Sequence, residues 1–234
     1  MLKDKVILVT GAAGGMGQVL SRALAQAGAR LVVAATREDE LAALCAELKD
    51  QYHCAVTGAV LDATDGDQVS QFMERAHAEY PAFDALVNLA GVSIPGQITE
   101  TEEAVFDRMM DVNLKSVYLM SKHFVPYAAK DARIVNIGSM AARRTNGNAP
   151  LYCTAKAALN TFSQGLALQL AAQGIHVTTL NPGGADTPFW GDRPVKRDKM
   201  LQAQDVVDVI LFVLDCSPRI AIHSIDFESI YMVG

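Results

Sequence analysis

A tyrosine and a lysine stand four positions apart within residues 151–160, a run of small residues that favours a helix. Positions i and i+4 share one face of a helix, so Tyr152 and Lys156 would project side by side. A free tyrosine has a pKa of about 10, and a cation within a few ångströms lowers such a pKa by about 1 to 3 units. The pair could therefore exchange a proton with a bound molecule, although this spacing also occurs by chance on solvated helices.

Glycines cluster between residues 10 and 17, directly after the short apolar run at residues 6–9. The order of strand, glycine-rich turn and helix start lets backbone N–H groups approach a pyrophosphate at the positive end of a helix. A side chain at Gly11, Gly15 or Gly17 would crowd the phosphates or the contact between strand and helix. The spacing is T-G-x-x-x-G-x-G instead of the common G-x-G-x-x-G, and a merely flexible turn is the alternative.

Short apolar segments alternate with helical patterns along the chain. The apolar segments are continuous and rich in β-branched residues, which is typical of parallel strands buried beneath helices on both faces. The sequence predicts one α/β domain over residues 1–234, a Rossmann-type doubly wound sheet of about seven mostly parallel strands with helices on both faces. Strands are expected at 6–10, 31–35, 56–61, 85–88, 133–138, 176–180 and within 220–227, and helices at 17–27, 38–48, 65–79, 102–129, 151–172 and 203–215.

Polar and small residues follow these strands at their carboxyl ends, where ligands bind in open α/β sheets. Asp62 follows the third predicted strand, residues 88–91 follow the fourth, and Ser139 follows the fifth. Asn181, Pro182, Gly183 and Gly184 follow the sixth. Because the carboxyl ends of parallel strands meet at one edge, the sequence predicts that these residues share a site with the glycine-rich turn.

Composition argues against several classes of function. A net charge of -6 over 234 residues argues against nucleic-acid binding. No apolar run reaches 18 residues, and the apolar run at residues 6–9 is too short for a signal-peptide core, so we expect a cytoplasmic protein without a membrane anchor. No metal site is expected, and the cysteines lack C-x-x-C spacing and are interpreted as reduced packing residues. They are Cys45, Cys54, Cys153 and Cys216.

Over about residues 5–189 the chain resembles the short-chain dehydrogenase/reductase family. The resemblance depends on the order and separation of several motifs, none of which is specific by itself. One position departs, because Leu89 stands where the family's N-N-A-G motif has its second asparagine. The matches are Thr10, Gly11, Gly15 and Gly17; Asn88, Ala90 and Gly91; Asn113; Ser139; Tyr152 and Lys156; and Pro182, Gly183 and Thr187.

The resemblance implies an oxidoreductase that transfers a hydride between NADP(H) or NAD(H) and a carbonyl compound or secondary alcohol. Tyr152 would be the general acid and base, and Lys156 would tune it while binding the nicotinamide ribose. Ser139 would hydrogen-bond the substrate oxygen, with capping of the next segment as the alternative. Asn113 would hold a water in a proton relay, with a plain structural role as the alternative.

The resemblance also implies a set of cofactor contacts. Asp62 with Ala63 would contact the adenine, and the residues after the fourth strand would line the adenosine ribose. For Asn88, a structural role between neighbouring strands is the alternative. The expected cofactor-binding residues are Gly11, Gly15, Met16, Gly17, Thr36, Arg37, Asp62, Ala63, Asn88, Ala90, Gly91, Tyr152, Lys156, Pro182, Gly183 and Thr187.

The choice between NADP and NAD depends on the end of the second strand. An alanine aligns with the family's NAD-selective aspartate, and Thr36 and Arg37 follow it with groups that suit a 2′-phosphate. Against this, Gly14 replaces the basic residue of many NADP-dependent members, and Arg37 could be a solvated residue near Glu38 and Asp39. NADP is favoured, and NAD is the alternative.

A charged, proline-bearing segment at about residues 188–200 is predicted to be a short substrate loop. It is shorter than the lid of many family members, which suggests an open cleft that could admit a bulky or carrier-linked carbonyl compound. Phe189 and Trp190 are expected to close its apolar side. The loop's cations, which would either meet an anionic group or be solvated, are Arg193, Lys196 and Arg197.

Two other functions stay open. One is a catalytically idle sensor or scaffold that binds a nicotinamide dinucleotide, and the complete catalytic set argues against it. The other is an extended family member such as a sugar-nucleotide epimerase, for which too little chain follows Thr187. The resemblance further implies a small-molecule substrate and a homodimer or homotetramer formed through the helices at 102–129 and 151–172. From net charge and hydropathy, no nucleic-acid or membrane partner is expected.

Overall fold

The central sheet consists of parallel strands, seven of them among residues 2–233, which the computed structural model describes. Two further short strands, β7 at Ala185–Asp186 and β8 at Leu201–Gln202, pair with each other. The central strands are β1 at Val6–Thr10, β2 at Arg30–Ala35, β3 at Val56–Val60, β4 at Phe83–Asn88, β5 at Ala128–Ile137, β6 at His176–Pro182 and β9 at Ser224–Phe227. Their order across the sheet is β3-β2-β1-β4-β5-β6-β9.

Helices cover both faces of this sheet, so the predicted fold class is confirmed. Successive residues of a strand point to opposite faces, and both directions are apolar here. In β1, Ile7 and Val9 pack against α1, α2 and α7, whereas Val6 and Leu8 pack towards α3 and α5. The helices are α1 at Gly15–Gln26, α2 at Glu38–Tyr52, α3 at Gly66–Glu79, α4 at Glu103–Met110, α5 at Ser116–Phe124, α6 at Pro150–Leu170 and α7 at Ala203–Leu214.

The predicted continuous helix over residues 102–129 is wrong. A π-helical turn at Asp111–Lys115 separates α4 from α5. Inside it, the side-chain amide of Asn113 donates to the carbonyl of Met109, four residues earlier, at 2.9 Å. A side chain that binds the i−4 carbonyl competes with the regular backbone bond, which favours a local widening of the helix.

The same region ends as a strand. α5 ends at Phe124, and a 3-10 turn at Val125–Tyr127 contains Pro126, which lacks the N–H that a continuing helix needs. The chain then enters β5 at Ala128, five residues before the predicted strand at 133–138. α1 also begins at Gly15, two residues earlier than predicted. α2 continues to Tyr52, four residues beyond its predicted end, and the remaining bounds differ by at most two residues. The predicted domain ends, residues 1 and 234, lie outside the described residues.

None of the helices in residues 2–233 combines the length and the hydropathy that a bilayer crossing requires. The four cysteines are free thiols, as expected.

Candidate active site

Two neighbouring cavities lie at the carboxyl ends of the strands, with volumes of about 930 and 730 Å³, and we call them the larger and the smaller cavity. The larger one contains the predicted catalytic Tyr152 and Lys156, and the smaller one contains the glycine-rich turn. Several residues line both, so the cavities are adjacent parts of one cleft. The shared residues are Met16, Leu89, Gly91, Thr187 and Phe189.

The smaller cavity is built around the start of α1. A Cβ atom on Gly17 would lie 2.2 Å from the carbonyl oxygen of Gly11, so the close approach of turn and helix excludes a side chain there. The first turn of α1 leaves backbone N–H groups without partners in the helix, which favours an anion at this end. The predicted cofactor residues that line this cavity are Gly11, Gly15, Met16, Gly17, Thr36, Arg37, Asp62, Ala63, Ala90, Gly91 and Thr187.

Arg37 lies across the mouth of the smaller cavity. Its Nη2 donates to the carbonyl of Ala13 in the glycine-rich turn at 3.2 Å, and the same nitrogen is 2.8 Å from a carboxylate oxygen of Glu40. The side chain is more than half exposed. The guanidinium is therefore held beside the turn, with part of its charge balanced by Glu40.

Lys156 is buried in the wall of the larger cavity. It is 4% exposed, and its Nζ donates a hydrogen bond of 2.7 Å to the backbone carbonyl of Ile137. Burial disfavours the ammonium and lowers the pKa of Lys156 to about 8. Lys156 therefore remains mostly protonated at pH 7.

The pKa of Tyr152 moves opposite to the expected direction. The sequence predicted that the lysine cation would lower it, but burial raises the pKa of Tyr152 to about 12. A hydrogen bond from Ser139 and the charge of Arg193 favour the phenolate without overcoming this effect. Lys156 is not among the groups that lower this pKa, because with its own pKa of about 8 it has lost its charge before the phenol ionises. At neutral pH the phenol keeps its proton.

Ser139 lies at the end of β5, in the wall of the larger cavity. Its Oγ accepts a hydrogen bond from the backbone N–H of Ala141 at 3.1 Å. Capping and substrate binding are compatible here, because a hydroxyl that accepts from one group can still donate to another. Pro182 and Gly183 at the end of β6 line the same cavity.

Asn113 lies behind the cavity wall. It is fully buried, its Oδ1 accepts from the backbone N–H of Val92 at 3.3 Å, and its Nδ2 donates to the carbonyl of Val92 at 2.8 Å. A Cβ atom on Gly91 would lie 3.2 Å from Asn113 Oδ1 and 3.5 Å from Lys156 Nζ. The two polar atoms therefore converge on one point without Asn113 lining either cavity.

Asn88 is not brought to a cavity wall. It is 3% exposed, and its Nδ2 donates to Oδ1 of Asn136 on β5 at 2.8 Å. Asn136 Nδ2 in turn donates to the hydroxyl of Ser163 on α6 at 2.9 Å. This arrangement is a bridge between neighbouring strands, the structural role given above as the alternative for Asn88.

The loop after β7 closes the apolar side of the larger cavity with Phe189 and Trp190, as predicted. The ring centres of Tyr152 and Phe189 are 6.1 Å apart. The guanidinium carbon of Arg193 lies 5.1 Å from the centre of the Phe189 ring and 4.8 Å from that of the Trp190 ring. Arg197 instead forms an ion pair of 2.7 Å with Asp186 and so holds the loop to β7. The cations of this loop therefore differ in role.

The sequence places Asn181 at the end of the sixth strand, but no role in the site was predicted for it. Its side chain is fully buried and accepts a hydrogen bond from the backbone N–H of Ser139 at 3.1 Å. An asparagine directly after a buried apolar strand was the available signal, but its partner is 42 positions away. The pair Arg144 and Glu228, which lines the larger cavity, was missed for the same reason.

Comparison with known proteins identifies the family. A sequence profile described as short chain dehydrogenase matches residues 5–198. The chain belongs to the short-chain dehydrogenase/reductase family. An uncharacterized oxidoreductase of Staphylococcus saprophyticus is 29% identical to this family member over 226 residues, which cover 96% of this chain and 97% of the relative.

Two solved structures share this fold. A 3-ketoacyl-(acyl-carrier-protein) reductase from Brucella melitensis, complexed with NADH, is 27% identical, covers 100% of both chains and has a TM-score of 0.89. A blue fluorescent protein from a metagenomic library, in complex with NADPH, is 26% identical, covers 99% of both chains and has a TM-score of 0.91.

Proposed function

We propose that this short-chain dehydrogenase/reductase reduces a carbonyl compound to a secondary alcohol with NADPH and catalyses the reverse reaction when conditions favour it. The observation that carries the proposal is the placement of Ser139, Tyr152 and Lys156 in one wall of the larger cavity, which adjoins the smaller cavity at the start of α1. A protonated phenol, a hydroxyl and an ammonium in an enclosed site suit proton transfer to a developing alkoxide.

The smaller cavity fits a dinucleotide. The glycine-rich turn leaves space beside the N-terminus of α1 where a pyrophosphate would accept hydrogen bonds from backbone N–H groups. Two relatives of the same fold bind NADH and NADPH, which supports this assignment. When bound, the nicotinamide supplies or accepts the hydride, and the protein provides position and charge.

Tyr152 acts as the proton donor in reduction. Because its pKa is raised to about 12, the phenol is protonated across the neutral range and can give its proton to the substrate oxygen. Oxidation of an alcohol requires the phenolate, which the buried site disfavours. The hydrogen bond from Ser139 and the charge of Arg193 both reduce that cost. Near neutral pH the site therefore holds the phenol in the protonated form that reduction requires.

The other catalytic residues support this proton transfer. Ser139 donates to the substrate oxygen as negative charge develops there. Lys156 binds the ribose hydroxyls of the cofactor and provides a positive charge beneath the phenol. Asn113 Oδ1 and Lys156 Nζ both face Gly91, and a water held between them would return a proton to the site.

The preference for NADP rests on Arg37 and Thr36. Both line the smaller cavity, and the Arg37 guanidinium is fixed beside the glycine-rich turn by the carbonyl of Ala13. An arginine can bind a 2′-phosphate with two parallel hydrogen bonds. Glu40 competes for the same guanidinium, so a bound phosphate would have to share or displace that contact.

The oligomer is proposed to form through α5 and α6. Tyr118 on α5 is 46% exposed and Leu168 on α6 is 81% exposed. The ring of Tyr118 packs edge-on against Phe162 of α6 at 6.4 Å, so the two helices form one partly apolar surface. Burying such a surface against a second copy would stabilise a dimer or tetramer.

The test of function is consumption of NADPH by the purified chain with a broad panel of ketones and oxo acids. Substrate-dependent loss of NADPH absorbance that the Tyr152→Phe variant lacks would support the proposal. Tight binding of NADPH without turnover on any carbonyl compound would instead favour the idle sensor or scaffold. Equal rates for wild type and Tyr152→Phe would show that the assigned proton donor is wrong.

A further inference from the structure

One buried side chain, Asn181, connects three elements of the site. Its Oδ1 accepts from the backbone N–H of Ser139 at 3.1 Å and from Nδ2 of Asn160 on α6 at 3.1 Å. Its Nδ2 donates to Oδ1 of Asp226 at 2.8 Å and to the hydroxyl of Ser224 at 3.2 Å, both on β9. The amide thus uses both donors and both acceptor positions, so its orientation is fixed.

The connection to α6 relates the serine to the other catalytic residues. Asn160 lies one turn beyond Lys156 on the same face of the helix that carries Tyr152. Because Asn181 binds Asn160 and the Ser139 backbone through one oxygen atom, it fixes the position of Ser139 relative to this helix. A displacement of the amide would change the distance between the serine hydroxyl and the phenol.

The residue before the serine is adapted to this contact. A Cβ atom on Gly138 would lie 2.1 Å from Oδ1 of Asn181, closer than any non-bonded contact allows. The absence of a side chain at Gly138 therefore permits the Ser139 N–H to reach the amide oxygen. The strand end and the asparagine are matched to each other.

A second contact holds the loop that follows the serine. Arg143 Nε lies 2.9 Å from Oδ2 of Asp226, the carboxylate that also accepts from Asn181. Burial opposes ionisation of Asp226, but hydrogen bonds from Asn181 and Arg143 hold its pKa below the usual range. The segment from Ser139 to Arg143 is therefore attached at both ends to the strands β6 and β9.

We propose that Asn181, supported by Asp226, is a positioning residue that holds Ser139 at a fixed position relative to Tyr152 and Lys156. The inference rests on the proposed function, because it assigns the asparagine a role through the catalytic serine. It differs from a purely structural role in one respect. A positioning residue loses its effect when Ser139 is removed, whereas a residue that only stabilises the fold acts independently of Ser139.

The experiment is a double-mutant cycle on turnover, with Asn181→Ala, Ser139→Ala and the combined variant. We expect Asn181→Ala to lower kcat by about 10 to 100-fold with the dissociation constant for NADPH changed less than twofold, because small misplacements at a reacting centre have effects of this size. In the Ser139→Ala background, Asn181→Ala should lower kcat less than threefold. Additive effects in the two backgrounds would overturn the positioning role.

Asn136→Ala is the matched control. Asn136 is also fully buried, lies on the neighbouring strand and makes side-chain hydrogen bonds, but its recorded partners are Asn88 and Ser163. We expect it to lower the midpoint of thermal unfolding, with an effect on kcat that is additive with that of Ser139→Ala. The same non-additivity in the control would mean that the cycle reports disturbance of the sheet and would overturn the inference.

An exchange of partners covers the case in which Asn181→Ala fails to fold. In Asn181→Asp the carboxylate still accepts from Ser139 and Asn160 but faces the carboxylate of Asp226. The combined Asn181→Asp/Asp226→Asn variant restores an amide opposite a carboxylate, so we expect at least tenfold recovery of kcat over Asn181→Asp. A folded double variant without recovery would contradict the proposal.

Two kinds of failure can be told apart. If the wild type oxidises no NADPH with any carbonyl compound, the proposed function fails and the role of Asn181 fails with it. If turnover is present and depends on Tyr152 while the effects of Asn181 and Ser139 are additive, only the positioning role is wrong.

Discussion

The ammonium of Lys156 lies 5.8 Å from the centre of the Tyr152 ring and donates a hydrogen bond to the backbone carbonyl of Ile137. The two side chains are neighbours on α6, but each has a pKa governed mainly by its own burial. Burial keeps the phenol of Tyr152 protonated at neutral pH, whereas it makes the ammonium of Lys156 easier to deprotonate. This separation of properties suggests different effects of their replacement.

Replacement of Tyr152 by phenylalanine should remove turnover and spare cofactor binding. The change deletes the proton donor but leaves the ring that packs near Phe189, and general acid catalysis contributes about 10² to 10⁴-fold to a rate. Lys156→Ala should impair both turnover and binding, because the role proposed for the ammonium includes binding of the cofactor ribose. Single-turnover kinetics and fluorescence titration with NADPH measure the two effects. Weaker NADPH binding by Tyr152→Phe than by Lys156→Ala would contradict these roles.

Replacement of Arg37 by alanine should raise the Michaelis constant for NADPH by about 10 to 100-fold, since hydrogen bonds to charged groups are worth about 1.5 to 3 kcal/mol. The constant for NADH should change less than twofold. Glu40→Ala, which frees the Arg37 guanidinium from its ion pair, is the complementary variant and should lower the constant for NADPH. An unchanged Michaelis constant for NADPH in Arg37→Ala would show that this side chain does not bind a phosphate.

The stability of the protein should rise with pH because of Lys156. Its pKa falls from 10.5 to about 8 on folding, so between these values the unfolded chain binds more protons than the folded one. The free energy of unfolding should therefore increase from pH 8 to 10.5, by up to about 3 kcal/mol from this group. Urea unfolding at several pH values in this range measures the increase. The difference between wild type and Lys156→Met gives the part that is due to the lysine. Lys122 is exposed, so the Lys122→Met control should show the same increase in the free energy of unfolding as the wild type. Equal slopes of this free energy against pH for wild type and Lys156→Met would contradict the prediction.

Arg193 should favour substrates that carry a negative charge. Its guanidinium lines the larger cavity, held against the rings of Phe189 and Trp190, and its charge reaches Tyr152. In Arg193→Met, kcat/KM for an oxo acid should fall by about tenfold relative to the methyl ester of the same acid. The exposed Lys196→Met variant from the same loop is the control and should leave this ratio unchanged. A ratio unaffected by Arg193→Met would show that its charge does not contribute to substrate selection.

The wild type should have a solution mass of two or four chains of 25.1 kDa. Placing a charge on the apolar surface of α6 with Leu168→Glu should shift this mass towards one chain, because the charge would be buried without a partner in the interface. Val60→Glu adds the same charge at a position that is 51% exposed on β3 and should not shift it. Light scattering with size-exclusion chromatography measures the masses, and a wild type of one chain would refute the proposed interface.

Much of the fold could be predicted because its signals are local in the sequence. Continuous apolar runs identify strands that are buried on both faces, and the order of strand and helix limits the topology to a parallel sheet. The prediction failed between residues 102 and 129, where a single helical pattern hides both a π-helical turn and the start of β5. The side-chain bond of Asn113 and the ring of Pro126 decide those breaks, and hydrophobic periodicity does not report them.

The residues that could do chemistry can be identified from the sequence, because the i, i+4 spacing of Tyr152 and Lys156 and the glycines after β1 are local patterns. The pKa values of these residues and the side chains that hold them in place depend on the tertiary structure. Burial by distant segments raises the pKa of Tyr152, opposite to what its lysine neighbour predicted. Asn181 reaches Ser139 across 42 positions, and Arg143 reaches Asp226 across 83. Such contacts depend on which strands pack side by side, and no local pattern encodes the distance between two side chains that meet only when the sheet has formed.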